Sequence, residues 1–114
     1  MRDLTPCNGC TNYPTWSVWL WLEENESNYR MSVNWTYTAL DFALGETMEE
    51  IAENARGDLA AMIDCYLEEN NPLYNSESNM FTDLLAYSLE QVDVMQIAEK
   101  LIDGNFEDWR EYNV

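Results

Sequence analysis

The sequence predicts an all-α fold, a compact single-domain bundle of about five helices spanning residues 1–114. Three observations predict it. Thr47-Met48-Glu49-Glu50 opens a long stretch whose apolar residues recur at three and four. Asn79 and Asp93 each stand immediately before a further stripe of that period. The one strand-like alternation, Met31 to Thr38, is matched by a helical stripe through the same residues. With 114 residues the chain can bury a core without disulfides or a metal.

Residues 1–11 form an irregular lead-in. After it, Asn12 or Thr15 can cap a helix with Pro14 in its first turn and Glu23-Glu24-Asn25 at its end. Trp16 to Leu22 contains a single polar residue, so composition alone also admits a buried strand. Trp16, Trp19 and Trp21 are read as core, with a partner-facing hot spot as the alternative. The next helix carries Val33, Tyr37, Leu40 and Leu44 on one stripe.

The capping box at Thr47 starts the third helix. Its apolar face is Met48, Ile51, Ala52, Ala55, Leu59, Met62, Ile63 and Tyr66, and Asn70-Asn71-Pro72 ends it. Gly57 does not shift the phase, so one helix is expected. Asn79 caps a fourth, with Met80, Phe81, Leu84, Leu85 and Val92 as its apolar positions. Asp93 caps a fifth, bearing Val94, Ile97, Ala98, Leu101 and Ile102, which Gly104 is placed to stop. The aromatic tail 104–114 then presents Phe106, Trp109 and Tyr112, either as a last turn folded on the core or as a contact surface. Trp109→Ala is expected to cost less stability than Trp16→Ala.

Charge is the dominant compositional signal: 22 acidic residues stand against 5 basic, net −17, with no histidine. No Lys or Arg occurs between Gly57 and Glu99, a span that holds nine Asp and Glu. Direct binding of nucleic acid or of an anionic membrane needs the Lys and Arg clusters that are missing, whereas a basic partner is favoured. The start of the chain lacks a signal-peptide pattern and no segment is apolar enough to span a bilayer, so a cytoplasmic protein is expected.

Three cysteines, an odd number, argue against a disulfide framework. Zinc needs four ligands, and Cys7, Cys10 and Cys65 without any histidine fall short, so no metal and no cofactor are expected. An enzyme is not expected either. Carboxylates occur without a nucleophile, phosphate loop or metal cluster to accompany them.

Thr11-Asn12-Tyr13-Pro14-Thr15-Trp16, the apolar run through Leu20-Trp21-Leu22, the acidic Glu23 to Glu26 turn and Tyr29 resemble a group of small acidic proteins of phages, plasmids and mobile elements, which open with a T-N-x-x-T-W signature. Phe81 to Leu89, Val92 and Ile97 to Ile102 are similar to that group's C-terminal helices. The resemblance brings no catalytic residue. It implies a mobile-element setting, in which small acidic proteins often antagonise host defence.

Geometry adds to that setting. At 100° per residue Glu49, Glu50, Glu53, Asp64 and Glu68 share one stripe, with Glu46 at its start. The stripe is about 33 Å long, close to one turn of B-form DNA. The leading expectation is a non-catalytic inhibitor that binds the basic DNA or RNA channel of a host defence enzyme, a restriction enzyme or CRISPR effector, as an acidic DNA mimic. Its partner-binding residues are Glu46, Glu49, Glu50, Glu53, Asp64 and Glu68, with Trp109 and Tyr112 as aromatic contacts. The alternative is a structural or regulatory interaction module of a mobile element or halophile, acidic only for solubility. A homodimer is compatible with either.

Overall fold

The computed structural model describes residues 11–73 and 75–112. They form five helices: α1 (Tyr13–Glu24), α2 (Glu26–Phe42), α3 (Met48–Glu69), α4 (Met80–Glu90) and α5 (Val94–Tyr112), with no strand among the described residues. α3 is the central element, packed most extensively on α5 and then on α2, while α1 closes the bundle against α2 and the edge of α5. Leu40, Ala55, Leu59, Ile63, Ile97 and Ala98 lie at its centre, out of reach of solvent. Most of the lead-in, with Cys7 and Cys10, lies outside the described residues.

The T-N-x-x-T-W stretch is a hydrogen-bonded clamp. Asn12 caps α1, its Oδ1 accepting from the Thr15 N–H at 3.0 Å and the Thr15 hydroxyl at 2.7 Å. The Asn12 amide donates to the carbonyl of Gln91, the C-cap of α4, at 2.7 Å. Thr15 Oγ1 in turn accepts the N–H of Asp93 at 2.8 Å, and Asp93 Oδ1 accepts the N–H of Gln96 in the first turn of α5. Thr11 completes the knot through the side chains of Asp93 and Gln96. One short motif therefore fixes the start of α1 to the α4–α5 joint. Thr15 is fully buried, so Thr15→Val leaves the Asp93 N–H without its acceptor at unchanged volume. The expected loss is about 1–3 kcal/mol in a urea titration. A change under about half a kcal/mol would show that the clamp is not a structural element.

The alternating stretch 31–38 is helical. Its inward residues in α2 are Ser32, Thr36, Ala39 and Leu40. The two hydroxyls are satisfied within the helix, Ser32 donating to the Tyr29 carbonyl and Thr36 to the Ser32 carbonyl, both at 2.7 Å. Small buried side chains of this kind let neighbouring helices approach closely. The expected stripe through Leu44 is corrected: α2 ends at Phe42, and Leu44 is exposed in the connection to α3. Gly45 in that connection meets a tight approach, because an added Cβ would lie 2.9 Å from the backbone nitrogen of Ile51.

α3 starts and stops as its sequence predicts. Thr47 Oγ1 accepts the Glu50 N–H at 3.1 Å, and the Glu50 carboxylate reaches back to the N–H of Glu46 at 2.9 Å, one residue beyond the cap. The helix passes through Gly57 unbroken and is capped by Asn70.

α5 departs from expectation. Gly104 does not stop it, and the helix continues to Tyr112. The reason is periodicity: Ala98, Leu101, Ile102, Phe106 and Trp109 form one continuing stripe, and burying Trp109 together with part of Phe106 outweighs the roughly 1 kcal/mol that a mid-helix glycine costs. A Cβ at Gly104 would meet nothing within 4 Å. Gly104→Ala is therefore expected to stabilise the protein by about 0.5–1 kcal/mol, raising its melting temperature. A lowered melting temperature would mean that the helix needs the glycine.

Candidate functional site

The acidic surface is built on α3 and α5. Glu46, Glu49, Glu50, Glu53, Asp64 and Glu68 are all exposed, as the periodicity predicts. They do not form one even stripe. Between Glu53 and Asp64 the stripe itself carries Gly57 and Ala61, with the exposed Asp58 off on its flank, so the expected carboxylates fall into a group at the start of the helix and a pair near its end. Glu50 is also engaged in the cap, and Glu53 pairs with Arg56 at 2.7 Å.

The fold adds a second row. Glu99, Asp103, Glu107 and Glu111 are exposed on α5 at intervals of four, one helical turn apart, about 6 Å per step. α3 and α5 run antiparallel. Arg56 in the middle of α3 reaches Glu99, while Trp109, near the end of α5, bonds to Asp41 just before the short connection that leads into α3. This brings the first group of α3 beside the row of α5. Glu49 and Glu53 on one side and Glu99 and Asp103 on the other line an open cleft of about 230 Å³, floored by Ala52, Ile102 and Phe106.

Arg56 spans the cleft, with Nη2 at 2.7 Å from Glu53 and Nη1 at 3.7 Å from Glu99, while its buried Nε has no hydrogen-bond partner. It ties the two rows at one point and offsets part of their repulsion. The other described cations are also engaged: Arg30 with Glu26, Arg110 with Glu107, and Lys100 over the Trp19 ring. Among the described residues, Arg56 is thus the cation that lines the cleft, pairing with Glu53 and Glu99, while no ion pair is seen at Glu49 or Asp103.

The two aromatic contacts of the tail part company. Tyr112 is 90% exposed and remains available to a partner. Trp109 is corrected: only 5% exposed, it stacks on Phe106 with ring centroids 6.0 Å apart and donates its Nε1–H to Asp41 at 2.8 Å. It belongs to the core because α5 does not stop at Gly104. Nearby, the Tyr37 phenol is pushed above its ordinary range by burial first, then by the Asp108 carboxylate and the phenols of Tyr29 and Tyr112.

The tryptophans of α1 also divide. Trp16 is buried against Tyr13 and Trp19 is half-buried, but Trp21 is 52% exposed and walls a cleft of about 220 Å³ with Leu22, Trp35 and Tyr66. Cys65 is an exposed thiol on α3.

The row on α5 is the feature that sequence reading missed. Its signal, acidic residues at 99, 103, 107 and 111, is visible in the chain, but ending the helix at Gly104 cut it in two. Comparison with family models, with curated proteins and with solved structures gives no match. No described helix is long and apolar enough to cross a membrane.

Proposed function

We propose that the protein is a non-catalytic inhibitor of a nucleic-acid-handling defence enzyme, a restriction enzyme or CRISPR effector, and that it occupies the enzyme's basic channel in place of DNA or RNA. The observation that carries this reading is the pair of carboxylate rows meeting across the α3–α5 cleft, Glu49 and Glu53 opposite Glu99 and Asp103. A duplex presents its charge as two rows on a rigid rod, and two packed helices offer a similar arrangement at lower density. Lys and Arg placed to receive phosphates can pair with such rows, and the summed field of a net −17 chain speeds the encounter.

Nothing in this mechanism needs a proton transfer or a covalent step. The carboxylates act as fixed charges, and the helices hold them in register. The resemblance of the N-terminal stretch to proteins of mobile elements supplies a setting in which such an inhibitor is useful.

The test is displacement. A fluorescent duplex bound to a purified restriction endonuclease or RNA-guided nuclease should be released by the protein, with the required concentration rising as salt is added. Failure to displace DNA from any enzyme of these classes, at low salt, counts against the reading.

A second reading, an interaction module whose acidity serves solubility, is favoured by one observation: the exposed apolar face of α4.

A further inference from the structure

Among the described residues, nothing covers the apolar face of α4. Its cap is complete, Asn79 accepting from the N–H groups of Phe81 and Thr82 while Thr82 accepts from that of Asn79. None of its residues is buried, so Met80, Phe81 and Leu84, named from the sequence as its apolar positions, are left outside the core. These three and Tyr87 are each about 60% exposed and fall within a sector of about 120° on the helix. Thr82, Leu85 and Leu89, turned away from this sector, are the residues that are half-buried. The clamp from Asn12 to Gln91 holds the end of α4 in place.

Four large apolar side chains on one face leave on the order of 400 Å² uncovered, at the size where exposed patches mark interaction sites. The surroundings say what covers it. Glu77 precedes the stripe, Asp83 and Glu90 border it, all exposed, and no Lys or Arg occurs between residues 57 and 99. A second copy is a poor occupant: a stable dimer needs about 800 Å² from each partner. Symmetric pairing would have to supply the remainder by setting these carboxylates against their own copies. Residues 1–10 offer only Met1 and Leu4 as large apolar side chains. An anionic lipid surface repels the rim.

We infer that the α4 face docks an amphipathic helix of a partner protein whose apolar stripe is flanked by Lys or Arg. Phe81, Leu84 and Tyr87 enter that stripe, and Asp83 and Glu90 meet the cations beside it. This surface is independent of the carboxylate rows on α3 and α5, so either can fail without the other.

The probe is a synthetic Leu and Lys peptide about five helical turns long, with its leucines on one face. Its control carries alanine at each leucine and the same charge. Titration calorimetry at physiological and at high salt should give at least tenfold tighter binding of the leucine peptide, with the difference persisting at high salt. Phe81→Ser with Leu84→Ser should abolish that difference without altering net charge, and Met80→Ser with Tyr87→Ser should do the same. Both pairs lie outside the core, and circular dichroism checks that they fold. The proposal is overturned if the two peptides bind wild type equally, or if the serine variants keep the preference. It is also overturned if sedimentation shows a dimer that these variants dissociate, or if binding to lipid vesicles depends on the same residues.

Discussion

Replacing Trp109 by alanine is expected to destabilise the protein by about 3–5 kcal/mol, a loss of the same size as that expected for Trp16→Ala. The side chain is 5% exposed and belongs to the cluster that joins α2, α3 and α5. Its removal opens a cavity under Phe106 and deletes the bond from Nε1 to Asp41, which ties the last turns of α5 to the end of α2. Trp109→Phe separates the two contributions, since it keeps most of the packing and loses the bond. It is expected to cost about 1.5–3 kcal/mol, the range for a hydrogen bond to a charged group. Urea titrations of the three proteins measure this. A loss below about 1 kcal/mol for the alanine variant would place Trp109 at the surface and the end of α5 outside the core.

The fate of Trp109 shows where sequence reading ran out. Helix starts were legible because Thr47, Asn79 and Asp93 declare themselves locally: each has a side-chain oxygen that can take a backbone N–H within three residues. The face of α3 was legible because its apolar residues keep one phase for the whole length of the helix. Gly104 misled because a glycine near a helix end is usually a stop, and whether the helix continues depends on Phe106 and Trp109 finding room in the core. Ser32 and Thr36 were invisible as core residues, since only the three-dimensional path of α2 buries them.

α4 misled in the opposite direction. Its apolar pattern is as clear as that of α3, yet none of its residues is buried among the described residues, and a pattern cannot say what covers such a face. The acidic site was half legible. Glu49 and Glu53 were placed on a stripe of one helix, while the juxtaposition with Glu99 and Asp103 arises from the antiparallel packing of α3 on α5.

The second large effect concerns that juxtaposition. Changing Glu49, Glu53 and Glu99 to Gln and Asp103 to Asn should leave the fold within about 1 kcal/mol of wild type, because two opposing terms nearly cancel. Removing like charges at spacing four, Glu49 with Glu53 and Glu99 with Asp103, gains about 0.2–0.5 kcal/mol for each pair. Depriving Arg56 of its two carboxylates costs about 1 kcal/mol, since Glu53 and Glu99 are well exposed and the Gln amide oxygens that replace them can still accept from the half-buried guanidinium. Association with a basic channel should nevertheless slow by at least about tenfold, the lower end of what electrostatic steering contributes. The effect is then one of recognition, separable from folding by a thermal melt.

The measurement that tests the account most directly is DNA cleavage by a restriction endonuclease or RNA-guided nuclease, followed with wild type and with this fourfold variant at low and high salt. Wild type should raise the apparent KM for DNA without changing kcat, and should do so less as salt increases, while the folded variant inhibits at least tenfold more weakly. Inhibition that lowers kcat at unchanged KM, or a variant that inhibits as strongly as wild type at both salt concentrations, would contradict the claim that the paired rows of α3 and α5 stand in for a nucleic acid.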